Sequence, residues 1–563
     1  MRDGDVTQAS SQGGSRGRAR GGSPGGRHAR RRGPWYRRVS VRPSVWLAAG
    51  TFASRGSGMA RLVLQAAALG TASLAGAYQT ANTMPTSLYT LMVGGALNSV
   101  LVPQLVRARA EHPDGGRAHE QRLVTMVLSV LALGTVAAVV FAPQLVALYM
   151  SSSAPTFGLT VLFARLLLPQ IFFYGCFFMF GQVLNARGRL GAMGWAPVLN
   201  NVVLIGLFGF CLQFGSTART GRIPGWEVLL LGAVTTAGIA VQAACLVLAS
   251  VRSGFGWRPR FDWRGSGLRG SLVAARWTLL FVLVNQVALA VVTRYANAAD
   301  AQLRNAGAGN SAYFFAQNIW MLPQSIVTVS LVTAVLPRMT RAVSEHRLDD
   351  VREDLSRGLR LTGLLIVPAA FFFLVFGPEI AVVMFAHGNG TAGTAAPLGE
   401  MLRAFALGLI PFSAQYLLLR GFYAFDDTRT PFWMALWISV ADIVLATACH
   451  LWLPPRWAVT GMAAAYAVSY LFGMVVTAVR LRRRLERRLD GKRLVRTYGK
   501  LVVAAGAAGA VGWGAAHVLQ GPVLLGLVAG GAAMALSFVV LGKALRIREF
   551  AGLRALRAMR AAA

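Results

Sequence analysis

Arginine side chains inside long apolar runs are the groups in this sequence best suited to chemistry. Arg55 and Arg61 lie in the first such run, six residues apart. An arginine near the centre of a membrane helix costs roughly 2.5–3.5 kcal/mol, so it persists where it is paired, hydrated or functional. A guanidinium forms charge-assisted, bidentate bonds to phosphate-like anions. These arginines are therefore candidate ligands of an anion.

Helix geometry limits how these arginines act together. At about 100° per residue, six residues place Arg55 and Arg61 on different faces of a helix. We expect one of them to line a cavity while the other reaches the membrane interface. Arg165 and Arg403 begin two later runs, 238 residues apart. Both are further candidates for substrate binding. Alternatively, each side chain extends to the membrane interface and has no role in binding.

Asp442 is the single carboxylate that the sequence predicts at mid-membrane depth, in the middle of the run 431–453. An ionisable group at this depth is expensive and usually has a partner or a function. Two roles stay open at this point. Asp442 is a proton or cation site for ion coupling, or it forms a buried structural pair with an arginine.

The composition indicates what must hold these side chains. Of 563 residues, 55% are hydrophobic and only 14% are charged, whereas soluble domains carry about 25% charged residues. Apolar runs of roughly 20 residues recur, each long enough to cross a bilayer core of about 30 Å. The runs are continuous rather than alternating, which favours helices over a barrel. We predict an all-α polytopic membrane protein of about fourteen transmembrane helices.

The basic residues predict the orientation of these helices. The net charge of +35 is concentrated between the apolar runs, so it indicates membrane topology rather than nucleic-acid binding. Loops near 71–75, 150–157 and 519–520 carry no Lys or Arg, whereas the intervening loops are rich in Arg. Positively charged loops stay in the cytoplasm. The pattern predicts an even number of spans with both termini cytoplasmic.

A weak internal repeat predicts the domain organisation. Met84-Pro85 matches Leu322-Pro323, and Trp195 matches Trp433, at the same offset of 238 residues. An even number of spans per copy makes this a parallel repeat. We predict two pseudo-symmetric six-helix lobes, an accessory C-terminal helix pair, and an N-terminal tail that cannot bury enough apolar surface to fold. The segments are a disordered basic tail 1–42, an N-terminal lobe 45–251, a C-terminal lobe 271–482, the accessory pair 497–545 and a basic tail 546–563.

Motifs of enzymes are absent from the sequence. It contains no P-loop, no HExxH and no recognisable Ser/His/Asp set. The four cysteines lie within apolar runs and form no CxxC pair, so neither a metal site nor a disulfide framework is expected. We therefore predict a transporter without a cofactor. The cysteines are Cys176, Cys211, Cys245 and Cys449.

Several local strings resemble a known family. Ser54-Arg55-Gly56 through Gly58-Met59-Ala60-Arg61 resembles the opening of the MurJ/MviN lipid II flippases of the MOP superfamily. Trp195-Ala196-Pro197 through Asn200-Asn201 is similar to their fifth span, and Arg420-Gly421-Phe422-Tyr423-Ala424 with Asp427-Thr428-Arg429-Thr430-Pro431 to another family element. The likeness covers about residues 45–545 and is closest to actinobacterial members.

The resemblance implies a function as well as a fold. It implies a multi-pass protein of the bacterial plasma membrane that moves undecaprenyl-diphosphate-linked peptidoglycan precursor, lipid II, from the inner to the outer leaflet by alternating access. Cell-wall synthesis proteins are the implied partners. Arg55 and Arg61 match two arginines that bind the diphosphate in the family. The family's second-span acid falls at Gly76, and its eighth-span arginine falls at Asn318, which we include in the candidate site.

The energy source and the cargo stay open at this point. An inside-negative potential favours outward movement of negative charge by about 2.3 kcal/mol per charge per 100 mV. A coupling cation, bound at Asp442, is the other possibility. Alternative functions are another carrier of the same superfamily, for drugs and cations or for polysaccharide lipids, and a polyprenyl-dependent glycosyltransferase. The short external loops speak against the enzyme.

Overall fold

A computed structural model describes most of the chain. The described residues are 41–94, 116–189, 191–215, 223–262, 268–303, 307–486, 490–518, 521–547 and 549–550. The predicted N-terminal tail, apart from its last two residues, and the part of the predicted C-terminal tail after residue 550 lie outside these ranges. The described residues form helices and connecting turns, without strands.

Among the described residues, eight helices precede the middle of the chain, and most of them are long apolar segments. The fourth and fifth of these helices are short. The bounds are α1 Val41–Leu69, α2 Ser73–Tyr89, α3 Arg117–Val140, α4 Ala142–Tyr149, α5 Phe157–Leu167, α6 Gln170–Ala186, α7 Gly191–Phe214 and α8 Gly225–Arg252.

Ten helices form the remainder of the described chain. The first eight belong to the predicted second lobe, and the last two are the predicted accessory pair. The bounds are α9 Leu268–Leu303, α10 Asn310–Pro323, α11 Val329–Ser344, α12 Leu348–Phe385, α13 Ala392–Ala406, α14 Leu409–Ala424, α15 Arg429–Trp452, α16 Pro455–Arg484, α17 Gly491–Val518 and α18 Val523–Ala544.

The number of spans follows from helix length and polarity. Within the described residues, eleven helical segments are long and apolar enough to cross a membrane, and the bent pair α13 and α14 makes a twelfth. α1 falls short because Arg55 and Arg61 lower its hydropathy, and α2 because it has only 17 residues. The predicted run 76–106 continues into residues outside the described ranges. The count of fourteen therefore stays a prediction.

The buried apolar side chains form separate cores. One core draws its residues from 68 to 255 and a second from 292 to 547, with Leu62 and Ala66 of α1 joining the second. A third, smaller core lies between residues 332 and 485. This division supports the two-lobe hypothesis, whose boundaries stay a prediction, and it shows α1 in contact with both halves.

Matching breaks interrupt the helices of the two halves. α5 and α6 are separated at Leu168-Pro169, and α13 and α14 at Leu407-Gly408, close to the 238-residue offset of the repeat. A π-helical segment also follows an internal proline in each half, at Thr90–Gly94 and Gln324–Thr328. Such segments widen a helix locally and are frequent at functional sites. The two halves therefore share the positions of their helix breaks as well as their sequence matches.

The accessory pair is attached firmly to α12. The Tyr498 hydroxyl donates to the Leu359 carbonyl over 2.8 Å, and Arg360 forms a 2.8 Å ion pair with Glu549. Ile547 is buried. The start of the predicted basic tail 546–563 therefore contacts the rest of the protein, because one apolar and one charged side chain of this segment, Ile547 and Glu549, have partners there. The boundaries of the tail stay a prediction.

The string Asp427-Thr428-Arg429-Thr430-Pro431 has a structural role. One Asp427 oxygen accepts from the Thr430 backbone N–H over 2.9 Å, and the other accepts from the Thr430 hydroxyl over 2.8 Å. Arg484, at the end of α16, also binds this carboxylate over 2.6 Å. Carboxylates at a helix start satisfy its free N–H groups. The motif thus begins α15 and joins it to α16.

A buried ion pair provides a test of stability in the first half. Arg187 binds Glu120 over 2.9 Å, and their side chains are only 10% and 3% exposed. Glu120→Ala leaves a buried charge without its partner, so we expect a loss of about 3–5 kcal/mol in the free energy of unfolding. The measurement is thermal unfolding of the purified protein.

The matched control for this test is Asp349→Ala. Asp349 pairs with Arg352, but its side chain is 87% exposed. An exposed pair contributes at most about 1 kcal/mol. Equal destabilisation by the two variants would contradict a special contribution from the buried pair.

Candidate functional site

A cavity of about 510 Å³ lies between the two halves of the molecule. It is bounded by α1 and α7 from the first half and by α10 with its following π-helical segment from the second. Arg55, Arg61 and Asn318, three of the predicted site residues, lie in its wall. The others are Thr51, Ser54, Gly58, Met59, Leu62, Met193, Gly194, Pro197, Met321, Leu322 and Ser325.

Both arginines of α1 line this cavity, whereas the sequence led us to expect only one. The reason is that the residues of α1 that line the cavity, from Thr51 to Leu62, are spaced three or four positions apart and share one broad helix face, with Arg55 and Arg61 toward its two edges. Arg55 is exposed and Arg61 is half-buried, and the buried Nε of Arg61 has no hydrogen-bond partner in the described structure. The cavity wall contains no Asp or Glu. The site is therefore cationic.

The fifth-span motif holds the arginine-bearing helix in place. The Trp195 indole donates to the Trp46 carbonyl over 3.2 Å, and the Asn201 amide donates to the Ser54 carbonyl over 3.0 Å. A Cβ on Gly50 would lie 2.8 Å from the Gly194 carbonyl carbon, so only glycine permits this approach of α1 to α7. These contacts flank Arg55 and fix the position from which it enters the cavity.

Asn318 lies opposite on α10, but its amide is engaged locally. Its Nδ2 donates to the Phe314 carbonyl over 2.8 Å, one turn earlier on the same helix. This leaves the side-chain carbonyl available on a helix that borders the cavity. Asn318 can therefore contribute a neutral acceptor, while the positive charge of the cavity wall comes from α1.

A seam of hydrogen bonds between the halves closes one side of this cavity. The Asn297 amide of α9 donates to the Thr80 hydroxyl and to the Tyr149 carbonyl, each over 3.0 Å. Asn310 donates to Thr80 over 2.9 Å, and Ser311 donates to the Thr71 carbonyl over 2.7 Å. Thr71, Tyr149, Asn310 and Ser311 lie in or next to the loops with few or no basic residues, Asn297 lies in the last two turns of α9, and Thr80 lies in the middle of α2.

The loop between α12 and α13 completes the seam at the end of α1. The Asn389 backbone N–H donates to the Ala67 carbonyl over 2.8 Å, and its amide donates to the Ala68 carbonyl over 2.6 Å. Gly388 has φ +61 and would place a Cβ 2.6 Å from the Ala67 oxygen. The last carbonyls of α1 are thus capped by the opposite half, a role that the sequence analysis did not assign to this loop.

A second buried carboxylate, Asp300, borders the seam. It is 5% exposed, and its Oδ1 has no hydrogen-bond partner in the described structure. A Cβ on Gly76 would lie 3.1 Å from Asp300 Oδ2, and one on Gly309 would lie 2.4 Å from its Cβ. The sequence pattern did not indicate Asp300, because the apolar run predicted over 271–297 ends before it. The helix α9 nevertheless continues to Leu303.

The structure does not bring Arg165 and Arg403 to the cavity. Arg165 is exposed in the last turn of α5. Arg403 pairs with Glu400 over 3.4 Å and donates to the Val375 carbonyl over 3.3 Å. Their equivalent positions in the repeat reflect the shared fold rather than a shared site, because neither side chain lines the cavity.

Asp442 lies in the interior of the second half, apart from the arginine cavity. It is 6% exposed and borders a separate space of about 120 Å³ together with Asn285, Tyr313 and Tyr466. Its Oδ1 has no hydrogen-bond partner, and the ion pairs found among the described residues do not include it. Of the two roles predicted for Asp442, the structural pair with an arginine finds no support in the described residues.

The seam can be tested through Asn297. Asn297→Ala removes two hydrogen bonds between the halves, each worth about 1 kcal/mol net. We expect labelling of Ala308→Cys, a position 1% exposed beside the seam, to become about tenfold faster with an impermeant maleimide. The background lacks the four native cysteines.

Asn285→Ala is the matched control on the same helix. Asn285 donates only to the Phe281 carbonyl of α9 itself, over 2.7 Å. Its replacement should leave the labelling rate of Ala308→Cys unchanged. A rate that rises equally in both variants would show that the seam does not depend on the bonds made by Asn297.

Comparison with known proteins places the chain in a family. The model of the family "Lipid II flippase MurJ" matches residues 65–531. A probable lipid II flippase MurJ of Rhizobium meliloti (strain 1021) is 30% identical over 426 residues, which are 74% of this chain and 76% of that relative. The lipid II flippase MurJ of Burkholderia cenocepacia is 27% identical over 402 residues, 69% of this chain and 74% of the relative.

Solved structures share the fold. A lipid II flippase MurJ in an inward closed conformation superposes with a TM-score of 0.71 at 18% identity, over 89% of this chain and 99% of that one. An inward-facing multidrug transporter of the MATE family gives 0.60 at 15% identity, over 79% and 99%. Because the family model spans most of the sequence, the chain belongs to the lipid II flippase MurJ family and is a membrane transporter rather than an enzyme.

Proposed function

We propose that this protein binds the diphosphate of lipid II with Arg55 and Arg61 and carries the headgroup across the membrane by alternating access. The observation that carries the proposal is a cationic cavity between two halves, with hydrogen bonds that join the halves along one side of it. A second arrangement, with the seam broken and the opposite side closed, would present the same arginines to the other leaflet.

The basic loops give the direction of the open side. The cavity begins near the start of α7, directly after Arg187 and Arg189, whereas the seam adjoins the poorly basic loops. Positively charged loops remain in the cytoplasm. We therefore assign the structure to an inward-facing state with both termini in the cytoplasm.

The chemistry of the cavity suits an anionic lipid. A diphosphate crossing the bilayer loses its hydration, and guanidinium groups replace it through charge-assisted hydrogen bonds. Binding two anionic charges also offsets the cost of holding Arg55 and Arg61 within a membrane helix. The prenyl chain stays in the lipid, so the cavity encloses only the polar part. No nucleotide is needed, because the membrane potential favours outward movement of negative charge.

The charge of the cavity separates this proposal from a drug and cation antiporter. A site for cationic drugs requires acidic or aromatic side chains, whereas this cavity wall carries two arginines and no carboxylate. No feature of the described structure supports the alternative of a polyprenyl-dependent glycosyltransferase. Proteins of cell-wall synthesis, which produce or consume the substrate, are the partners that the proposal implies.

Arg61 provides the direct test. Arg61→Ala removes the half-buried guanidinium of the cavity, so we expect loss of complementation in a strain depleted of its own flippase, with lipid II accumulating in the inner leaflet. Arg61→Lys keeps the charge but not the bidentate geometry and should restore growth in part.

Arg165→Ala is the control for this test, because Arg165 also lies within an apolar span but not in the cavity. It should complement at the wild-type level, with equal amounts of both variants in the membrane. Full growth with Arg61→Ala, or normal lipid II export in cells that lack the protein and any redundant flippase, would refute the proposal.

We further propose that Asp442 couples transport to a cation. A buried carboxylate without an arginine partner, beside a small space, is suited to bind a proton or a monovalent cation. Asp442→Asn keeps the shape and removes the charge. We expect transport in vesicles to lose its dependence on an imposed sodium or proton gradient, while lipid II binding is unchanged. Persistent dependence on the gradient would exclude Asp442 and leave the membrane potential as the driving force.

A further inference from the structure

A second basic cavity, here called the accessory cavity, lies where the accessory helix pair begins and ends. Its residues are remote in sequence from the arginines of α1. It has a volume of about 720 Å³ and is formed by the first turns of α17 and the segment after α18. Five basic side chains line it: Lys492, Arg493, Arg496, Lys500 and Arg546. The central cavity does not share any of these residues.

The positive charge of this accessory cavity is largely uncompensated. Of its two carboxylates, Glu549 is engaged by Arg360 over 2.8 Å, and Asp490 lies 3.8 Å from Arg493. Among the described residues, Lys492, Arg496 and Arg546 thus have no carboxylate partner. The neighbouring residues 487–489, 548 and 551–563 contain arginines but no Asp or Glu, so their sequence supplies only more positive charge.

Another basic cavity differs in its balance of charge. A cavity of about 490 Å³ between α11 and α12 is lined by Arg338, Arg341, Arg347 and Arg357, and also by Asp350, Glu353 and Asp354. Asp354 pairs with Arg338 over 2.9 Å, and Asp350 pairs with Arg347. The arginines of the α11–α12 cavity are therefore largely balanced by its own carboxylates, whereas the accessory cavity keeps a larger excess of positive charge.

The surroundings of the accessory cavity indicate which anion. Directly beyond its basic side chains, α17 and α18 present apolar residues outward, with Val495 74% exposed and Val540 58% exposed. A ligand with a negative headgroup and hydrocarbon chains matches both parts. Basic pockets between membrane helices on the cytoplasmic side bind anionic lipid headgroups in this way.

The walls of the accessory cavity are fixed to the body of the protein. Lys500 donates to the Leu545 carbonyl over 2.8 Å and so joins the two segments that form the cavity. The ion pair from Arg360 to Glu549 then holds the second segment against α12. A ligand that bridges α17 and the segment after α18 would therefore stabilise the packing of the accessory pair.

We propose that the accessory cavity binds the phosphodiester headgroup of an anionic phospholipid of the cytoplasmic leaflet, at a site separate from the substrate cavity. Lys492, Arg496 and Arg546 contact the phosphate. The acyl chains lie along the exposed valines of α17 and α18. The lipid acts as a structural ligand of the accessory pair, and the proposal does not depend on which lipid the central cavity transports.

The test compares two double variants of the full-length protein. Arg496→Gln with Arg546→Gln removes two charges from the accessory cavity. Arg341→Gln with Arg357→Gln removes two from the α11–α12 cavity on the same side of the membrane. Phosphatidylglycerol is titrated into each detergent-solubilised protein, and bound lipid is counted by native mass spectrometry while thermal unfolding is followed. Phosphatidylcholine and inorganic phosphate are titrated in parallel.

We expect phosphatidylglycerol to bind the wild-type protein and to raise its Tm. Affinity should fall about 30-fold in the accessory-cavity variant, from about 1 kcal/mol per basic residue near the membrane surface. It should be unchanged in the α11–α12 variant, and phosphatidylcholine should bind none of the proteins well.

Several outcomes would overturn the proposal. Equal losses in both variants would show non-specific attraction to a basic surface. Stabilisation by inorganic phosphate to the same extent as by phosphatidylglycerol would show a phosphate site without a lipid. Selective loss of undecaprenyl diphosphate binding in the accessory-cavity variant, with phosphatidylglycerol binding intact, would assign the cavity to the substrate path.

Discussion

The structure depends on holding two guanidinium groups within a membrane helix without carboxylate partners. Arg55 and Arg61 line a cavity whose wall contains no Asp or Glu, so water or an anionic ligand must solvate them. That requirement explains why α1 lies between the halves rather than within one of them. It also explains the contacts from Trp195 and Asn201, which fix the helix on which the charges depend.

The seam is the necessary counterpart of the cavity. A carrier with a hydrated centre must be closed on one side, and here amide and hydroxyl groups of both halves form the closure. Hydrogen bonds of this kind are individually worth about 1 kcal/mol, so a few of them hold the closed side without preventing its opening. Asp300, buried beside two glycines at this point, would become hydrated whenever the seam opens.

Charge is distributed differently over the central cavity, the α11–α12 cavity and the accessory cavity. The central cavity has two cations and no acid, which suits a transported anion. The α11–α12 cavity contains its own carboxylates. The accessory cavity has excess positive charge next to exposed valines, which suits a lipid headgroup. Net charge alone does not distinguish these three cases, because the difference lies in which carboxylates reach which arginines.

The sequence by itself determined the class of the protein. Apolar length, the alternation of basic loops and the 238-residue repeat are local or periodic properties, and they predicted an α-helical carrier with arginines in its spans. Only the tertiary structure decided which arginines share a cavity. Arg55 and Arg61 do, although about 120° of helix rotation separates them, because a broad face of α1 that includes both side chains lines the cavity. Arg165 and Arg403 do not, although the repeat equates them. In the seam, Asn297, Asn310 and Asn389 each donate a hydrogen bond to a residue more than 140 positions away in the sequence. A local sequence pattern does not predict such pairings.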